Sequence, residues 1–182
     1  AILQSPAAVL LTGGQPEADV VVYGATPGGI AAAVAAARRG RNILLAAYED
    51  HIGGIVSNGL TNADIGKRQA VGGLFYEFTR RVVRHYQSNP ENLKLCRDGY
   101  WYEADLAEKI FHDWIAETGG RIRLLLSHKL VKAEVQRNTL KAIVLENRAN
   151  PALTVRASAP VFIDGTYEGD LAAYGGAPYR FG

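Results

Sequence analysis

The chain has 182 residues, 48% of them hydrophobic and 21% charged, and its 20 Lys and Arg against 18 Asp and Glu leave a formal net charge of +2. That composition describes a globular chain long enough to bury a core, and it argues against disorder, an acidic tail or the basic footprint of a nucleic-acid binder. One cysteine, Cys96, excludes an intrachain disulfide framework and a paired-thiol redox motif, and no apolar run reaches the roughly 20 residues of a membrane-spanning helix.

The sequence begins at Ala1 and contains no methionine, which points to a mature product or a trimmed chain and favours a periplasmic or secreted protein over a cytoplasmic one. Residues 1–17 read as a mobile arm. Residues 19–23 form a short β-branched run ending at Gly24, the pattern of a buried strand. Thr26 is a hydroxyl N-cap candidate and Pro27 follows at a first-turn position, where its missing N–H costs nothing. Residues 31–37 are almost all alanine around Val34, so a helix here can lie close to a sheet. Gly40 stops it, and residues 42–47 supply a second apolar strand. Strand, tight turn, helix and strand within residues 18–48 make a βαβ unit with parallel strands.

Residues 51–66 are glycine-rich and irregular. Residues 71–86 read as a helix, residues 88–99 as a connection, and residues 103–117 as an amphipathic helix with Leu106, Ile110, Phe111, Trp114 and Ile115 on one face. Both helices are expected to leave apolar surface uncovered. Arg38, Arg39 and Arg41, like Arg80, Arg81 and Arg84, read as solvated helix ends and faces. Residues 121–126 are a third strand candidate, residues 130–135, 140–146 and 153–157 an antiparallel meander, and residues 160–164 a last buried strand. Cys96 reads as a buried thiol, and His85, His112 and His128 show no metal-ligand or triad spacing.

Gly24, Thr26, Pro27, Gly28 and Gly29 occupy the G-x-G-x-x-G slot of a strand-to-helix turn. The first glycine permits the turn, the last lets helix pack on strand, and the helix amino terminus offers N–H groups to a pyrophosphate. Thr26 replaces the middle glycine, which leaves backbone N–H groups able to bind. The acidic residue usual at the end of the second strand, where it holds a ribose hydroxyl, is replaced by Ala47, with Glu49 and Asp50 just beyond.

With residues 24–29, the preceding strand and the small-residue helix, the sequence resembles the opening of the FAD-dependent oxidoreductases of the glutathione-reductase-like superfamily. Residues 51–60, His-Ile-Gly-Gly-Ile-Val-Ser-Asn-Gly-Leu, resemble a second glycine motif, and residues 161–171 resemble an Asp-Ala-Thr-x-x-Gly-Asp-Leu segment. Tyr102-Glu103 resembles an aromatic-Glu-Pro step with Ala104 in place of proline. The resemblance implies an α/β fold: a Rossmann-like FAD-binding domain with a parallel sheet, a crossover helix and an antiparallel β-meander, plus a helical insertion. On that reading residues 18–182 are an incomplete FAD-binding domain, with the βαβ unit at 18–48, the glycine-rich loop and helical insertion at 49–120, and strand, meander and closing strand at 121–182.

The resemblance implies FAD as cofactor and assigns positions to it. Gly24, Thr26, Pro27, Gly28 and Gly29 would line the pyrophosphate. Gly53 and Gly54 would approach the phosphates and ribityl chain, with Ser57, Asn58 and Gly59 leading toward the flavin ring. The main chain of Val131 would meet the adenine, and Gly165 and Thr166 would close over the adenosine side. His51 is read as a hydrogen-bonding neighbour rather than a covalent flavin attachment. Asp64, Tyr102, Glu103, Tyr167 and Asp170 are read as structural or cofactor-supporting, so the catalytic residue is unknown. The implied reaction is hydride transfer from a small organic substrate to flavin, with no metal. Relatives two to three times longer imply a substrate-binding remainder, in the same protein or a second subunit. Two other readings stay open: a nicotinamide-dependent dehydrogenase, which the meander and later glycine motifs oppose, and a cofactor-free binding module, for which Ala47 is the best evidence.

Overall fold

The computed structural model describes residues 18–180. Residues 1–17, expected as a mobile arm, lie outside the described residues, as do residues 181–182.

Two β-branched or leucine-rich runs, β1 (Val20–Tyr23) and β2 (Ile43–Ala46), flank α1 (Pro27–Ala37). They pair in parallel, Val20 opposite Ile43 and Tyr23 opposite Ala46. With β3 (Ile122–Leu125) and β7 (Val161–Asp164) they form a four-stranded parallel sheet in the order β3-β2-β1-β7. Between β3 and β7 the chain makes an antiparallel meander of β4 (His128–Gln136), β5 (Thr139–Asn147) and β6 (Thr154–Ser158). Arg137 and Asn138, with φ of 46° and 60°, close the β4–β5 hairpin in the left-handed region that a tight two-residue turn requires.

Side-chain alternation in the strands divides the core into two layers. Val20, Val22, Ile43 and Leu45 face a cluster that includes Ile30, Ala33 and Val34 of α1, whereas Val21, Tyr23, Leu44 and Ala46 face Leu130, Ile143, Leu145 and Ala157 of the meander. The parallel sheet is therefore sandwiched between helices and meander, which explains why its central strands read as continuous apolar runs.

The insertion between β2 and β3 carries α2 (Gly73–Tyr86), α3 (Pro90–Leu95) and α4 (Ala104–Ala116). The apolar faces of α2 and α4, expected to be left open, cover each other in part and leave an apolar cavity between Phe75, Phe78 and Trp114. Phe78 stacks on Phe111 at 5.7 Å between centroids and meets Tyr102 edge-on at 5.0 Å and Trp114 at 6.4 Å. Helix α3 lies where a connection was expected: Asn89 caps it, its side-chain oxygen accepting the Glu91 and Asn92 N–H groups at 3.1 Å, with Pro90 in the first turn. A short α5 (Asp170–Tyr174) follows β7.

Two further expectations need correction. Strand β7 is not buried, because among the described residues it pairs only with β1, at the sheet edge, and Val161 is 47% exposed. Arg38 and Arg81 are not merely solvated. Arg38 grips the Glu77 carboxylate with two hydrogen bonds of 2.7 and 2.9 Å, and Arg81 bridges Glu77 and Glu117. Trp114 Nε1 donates to the same Glu77 at 2.7 Å, so one carboxylate ties α1, α2 and α4. Cys96 is buried as expected, its thiol donating to the Leu93 carbonyl at 3.1 Å. Among the described residues no helix is long and apolar enough to cross a membrane.

Candidate functional site

Three glycine-bearing segments, far apart in sequence, meet beyond the carboxyl ends of β1 and β7. Gly24, at φ 107°, leaves β1 in a conformation that favours glycine. A Cβ on Gly24 would collide with the Gly165 backbone, one on Gly29 with the Gly24 carbonyl, and one on Gly165 would lie 2.6 Å from that carbonyl and 2.8 Å from the Gly29 Cα. These three glycines are needed by one another, for backbone-to-backbone packing. The second glycine motif joins the same hub, since the Gly53 N–H donates to the Ala25 carbonyl at 2.8 Å.

Thr26 explains its own presence in place of a glycine. Its hydroxyl accepts the Gly29 N–H at 3.3 Å, capping α1, and donates to the Gly165 carbonyl at 2.6 Å. Pro27 occupies the first turn without an N–H to satisfy. Gly28 differs from the other glycines: it is exposed, a Cβ there would meet only the Thr26 hydroxyl at 3.8 Å, and its N–H makes no hydrogen bond among the described residues. No acidic residue stands in the first turn of this eleven-residue helix. A free N–H, a positive dipole end and a side-chain-free surface together suit an anionic group such as a pyrophosphate.

Other predicted positions join the hub to different degrees. Gly53 turns its side-chain position inward, where a Cβ would lie 2.6 Å from the Ser57 hydroxyl and 2.8 Å from the Phe111 ring. Ser57 donates to the Ile52 carbonyl at 2.6 Å and so closes its own turn. Gly54 is faced by Tyr167, whose hydroxyl accepts the Ile55 N–H at 2.8 Å. Asn58 and Gly59 are exposed and make no hydrogen bond to the other two segments. Val131 lies between Leu130 and Lys132, where the β4–β5 register shifts, so its main chain stands outside regular pairing. The neighbouring Leu130 N–H donates to the Tyr23 hydroxyl at 2.8 Å, which brings this bulge to the end of β1. Burial holds the Tyr23 phenol above its ordinary pKa, against the lowering effect of that Leu130 hydrogen bond.

Thr166 belongs to a turn built by Asp164, which the third motif contains but to which the sequence reading gave no site role. Asp164 Oδ1 accepts the Thr166 N–H and hydroxyl at 2.9 and 2.6 Å, and Oδ2 accepts the Ala172 N–H at 2.8 Å. The Thr166 hydroxyl in turn accepts the Gly169 and Asp170 N–H groups at 3.0 Å. The Asp-x-Thr spacing was the available signal, because short oxygen side chains two residues apart build such turns.

Ala47 is fully buried in the apolar cluster, and its carbonyl accepts the His128 N–H at 2.8 Å. Asp50 is turned to His51, 3.2 Å from Nδ1, and that contact lowers its pKa. Glu49 is exposed and its carboxylate makes no hydrogen bond or ion pair among the described residues. Glu103 accepts the Tyr86 hydroxyl at 2.9 Å, while burial first, and then this carboxylate, push the Tyr86 pKa up to about 12. An apolar cavity of about 200 Å³ borders both glycine turns, with Pro27 and Val56 at one side and Phe78, Tyr102 and Trp114 at the other. No group of His, Cys, Asp and Glu among the described residues is arranged to hold a metal.

The fold is shared with solved dehydrogenases and a deaminase at low sequence identity. L-proline dehydrogenase from P. horikoshii superimposes with a TM-score of 0.57 at 13% identity, over 92% of this chain and 58% of that one. Glycerol-3-phosphate dehydrogenase from Bacillus halodurans, solved in complex with FAD, gives 0.56 at 15% identity, over 87% of this chain and 36% of that one. L-amino acid deaminase from Proteus vulgaris gives 0.56 at 15% identity, over 88% and 56%. The chain thus spans between 36% and 58% of the length of these three proteins. No curated protein matches the sequence. The family profile described as FAD dependent oxidoreductase matches residues 19–182. That match spans all three glycine segments and the sheet that carries them, and the chain belongs to the FAD-dependent oxidoreductase family, with FAD as its cofactor.

Proposed function

We propose that these residues hold the pyrophosphate of FAD at the amino terminus of α1, and that the whole enzyme removes a hydride from a small organic substrate. The observation that supports this reading most directly is Gly28. It is the one glycine of the first turn left open to solvent, with an unengaged N–H at a helix start free of acidic side chains. Gly24, Gly29 and Gly165 shape the cradle, and Thr26 braces it. Bound FAD supplies the two-electron acceptor for a hydride leaving a C–H bond, while a base takes the accompanying hydroxyl or amine proton.

Glu49 is assigned the adenosine ribose. The usual position is taken by Ala47, Asp50 is engaged by His51, and Glu49 keeps its acceptor oxygens available. The bulged main chain of Val131, next to the Tyr23–Leu130 contact, is assigned the adenine edge. The chain spans 36–58% of the length of the three solved enzymes compared above, so the substrate contacts and the catalytic base are assigned to polypeptide beyond these residues. The visible spectrum of the protein after incubation with FAD and removal of free ligand tests the reading. Retained flavin bands are expected, and a colourless protein that also ignores ADP opposes it.

A further inference from the structure

We infer that Tyr167 is a positioning residue that fixes the second glycine turn against the β7 segment, and thereby sets the flavin-side half of the FAD cleft. The inference deepens the proposed FAD-binding role and rests on it. Tyr167 is 60% exposed, so burial in the core does not hold its ring in place. Its hydroxyl nevertheless accepts the Ile55 N–H at 2.8 Å, across 112 residues of sequence. The ring lies over Gly54, where a Cβ would collide with the hydroxyl and lie 3.1 Å from Cζ. Gly54 therefore leaves room for this ring, in addition to adopting φ of 51°.

The base from which Tyr167 reaches is rigid. Asp164 and Thr166 hold the turn after β7 with five hydrogen bonds to main-chain N–H groups and each other's side chains. The preceding residue but one, Gly165, is locked against Gly24 and Thr26. Tyr167 transmits that fixed position to residues 54–55, which open the short 3₁₀ turn Gly54–Val56. The second glycine turn is held to the first by the Gly53 N–H on the Ala25 carbonyl, and to the segment after β7 by Tyr167. Without the second tie, the turn keeps its anchor at Gly53 but loses the one at Ile55. Among the described residues no hydrogen bond joins Tyr167 to Gly28, Glu49 or the β4 bulge, on which the diphosphate and adenosine assignments rest. The consequence is selective: removing the hydroxyl weakens ligands that reach the second glycine turn, and spares those that stop at the diphosphate.

The test compares FAD and ADP binding to the full chain as wild type, Tyr167→Phe and Tyr167→Ala, with melting temperature measured on each. Tyr167→Phe removes one neutral hydrogen bond and is expected to weaken FAD roughly 3- to 10-fold. ADP affinity should stay within about twofold, and the melting temperature within roughly 4 °C for the loss of one exposed contact. Tyr167→Ala, which also removes the ring over Gly54, should weaken FAD further and still spare ADP. FAD affinity that survives both changes overturns the inference, and so does an equal loss for FAD and ADP, which marks a general structural role. A wild-type chain that binds neither ligand overturns the FAD-binding reading itself, and the role of Tyr167 with it.

Discussion

The Thr26 hydroxyl donates a 2.6 Å hydrogen bond to the carbonyl of Gly165, 139 residues further along the chain, while accepting the Gly29 N–H at 3.3 Å. One hydroxyl thus caps a helix and joins the first and last motifs. Thr26→Val keeps the shape and removes both bonds, leaving a part-buried donor and acceptor without partners. A loss of about 1–2 kcal/mol in unfolding free energy is expected from urea titration. Thr26→Ser, which retains the oxygen, should stay within about 0.5 kcal/mol of wild type.

Glycines of the first turn separate into fold and ligand classes. Gly24→Ala combines a left-handed φ of 107° with a collision against Gly165, and should cost roughly 3 kcal/mol of stability. Gly28→Val makes no contact closer than the 3.8 Å its Cβ would have to the Thr26 hydroxyl, and should leave stability within about 1 kcal/mol, since a residue other than glycine is tolerated or favoured in a helix. Its branched side chain should stand where the phosphates approach, weakening FAD roughly tenfold or more. Denaturation and FAD titration on the same two variants check both halves.

Ribose recognition divides Glu49 from Asp50. Glu49→Ala should weaken ADP about 3- to 10-fold, the effect of one hydrogen bond to a charged acceptor. Asp50→Ala should leave ADP binding unchanged, because that carboxylate is already turned to His51. Isothermal titration with ADP decides between them, and equal effects in both variants would remove the assignment.

Acid stability should follow Glu77. The Arg38 hydrogen bonds foremost, with Arg81 and Trp114, hold its carboxyl at about 2 against an ordinary value of 4.5. A depressed folded pKa means that the unfolded chain binds the proton first. The stabilisation is therefore fully present above about pH 4.5 and is lost as pH falls from there toward 2. Glu77→Gln should be less stable than wild type at pH 7 and should show a flatter decline over that acid window, measured by urea titration at several pH values.

The βαβ unit was legible because its signals are local: the β-branched run of β1, Thr26-Pro27 at the helix start, the alanine-rich helix and Gly40. The meander showed itself through alternation around polar turns. Helix α3 was missed because its six residues are exposed and carry no apolar periodicity, although Asn89 and Pro90 mark its start. The exposure of β7 could not be read from Val161, Phe162 and Ile163, since an apolar run looks the same at the edge of a sheet as at its centre. Within the site, the glycines were legible but not their division of labour, because which of them touches another backbone depends on how segments 139 residues apart come together. The role of Glu77 and the partner of Tyr167 were hidden for the same reason, Arg38 and Trp114 lying 39 and 37 residues from Glu77 and Ile55 lying 112 residues from Tyr167.

FAD is expected to bind at the exposed Gly28 turn, on a cradle whose other glycines serve the fold. Flavin absorbance that co-elutes with the chain in gel filtration, measured for wild type and Gly28→Val at matched far-UV circular dichroism, tests it most directly. About one flavin per wild-type chain is expected, and little or none on the equally folded Gly28→Val variant. A wild-type chain that elutes without flavin, or a folded Gly28→Val variant that retains it undiminished, would contradict it.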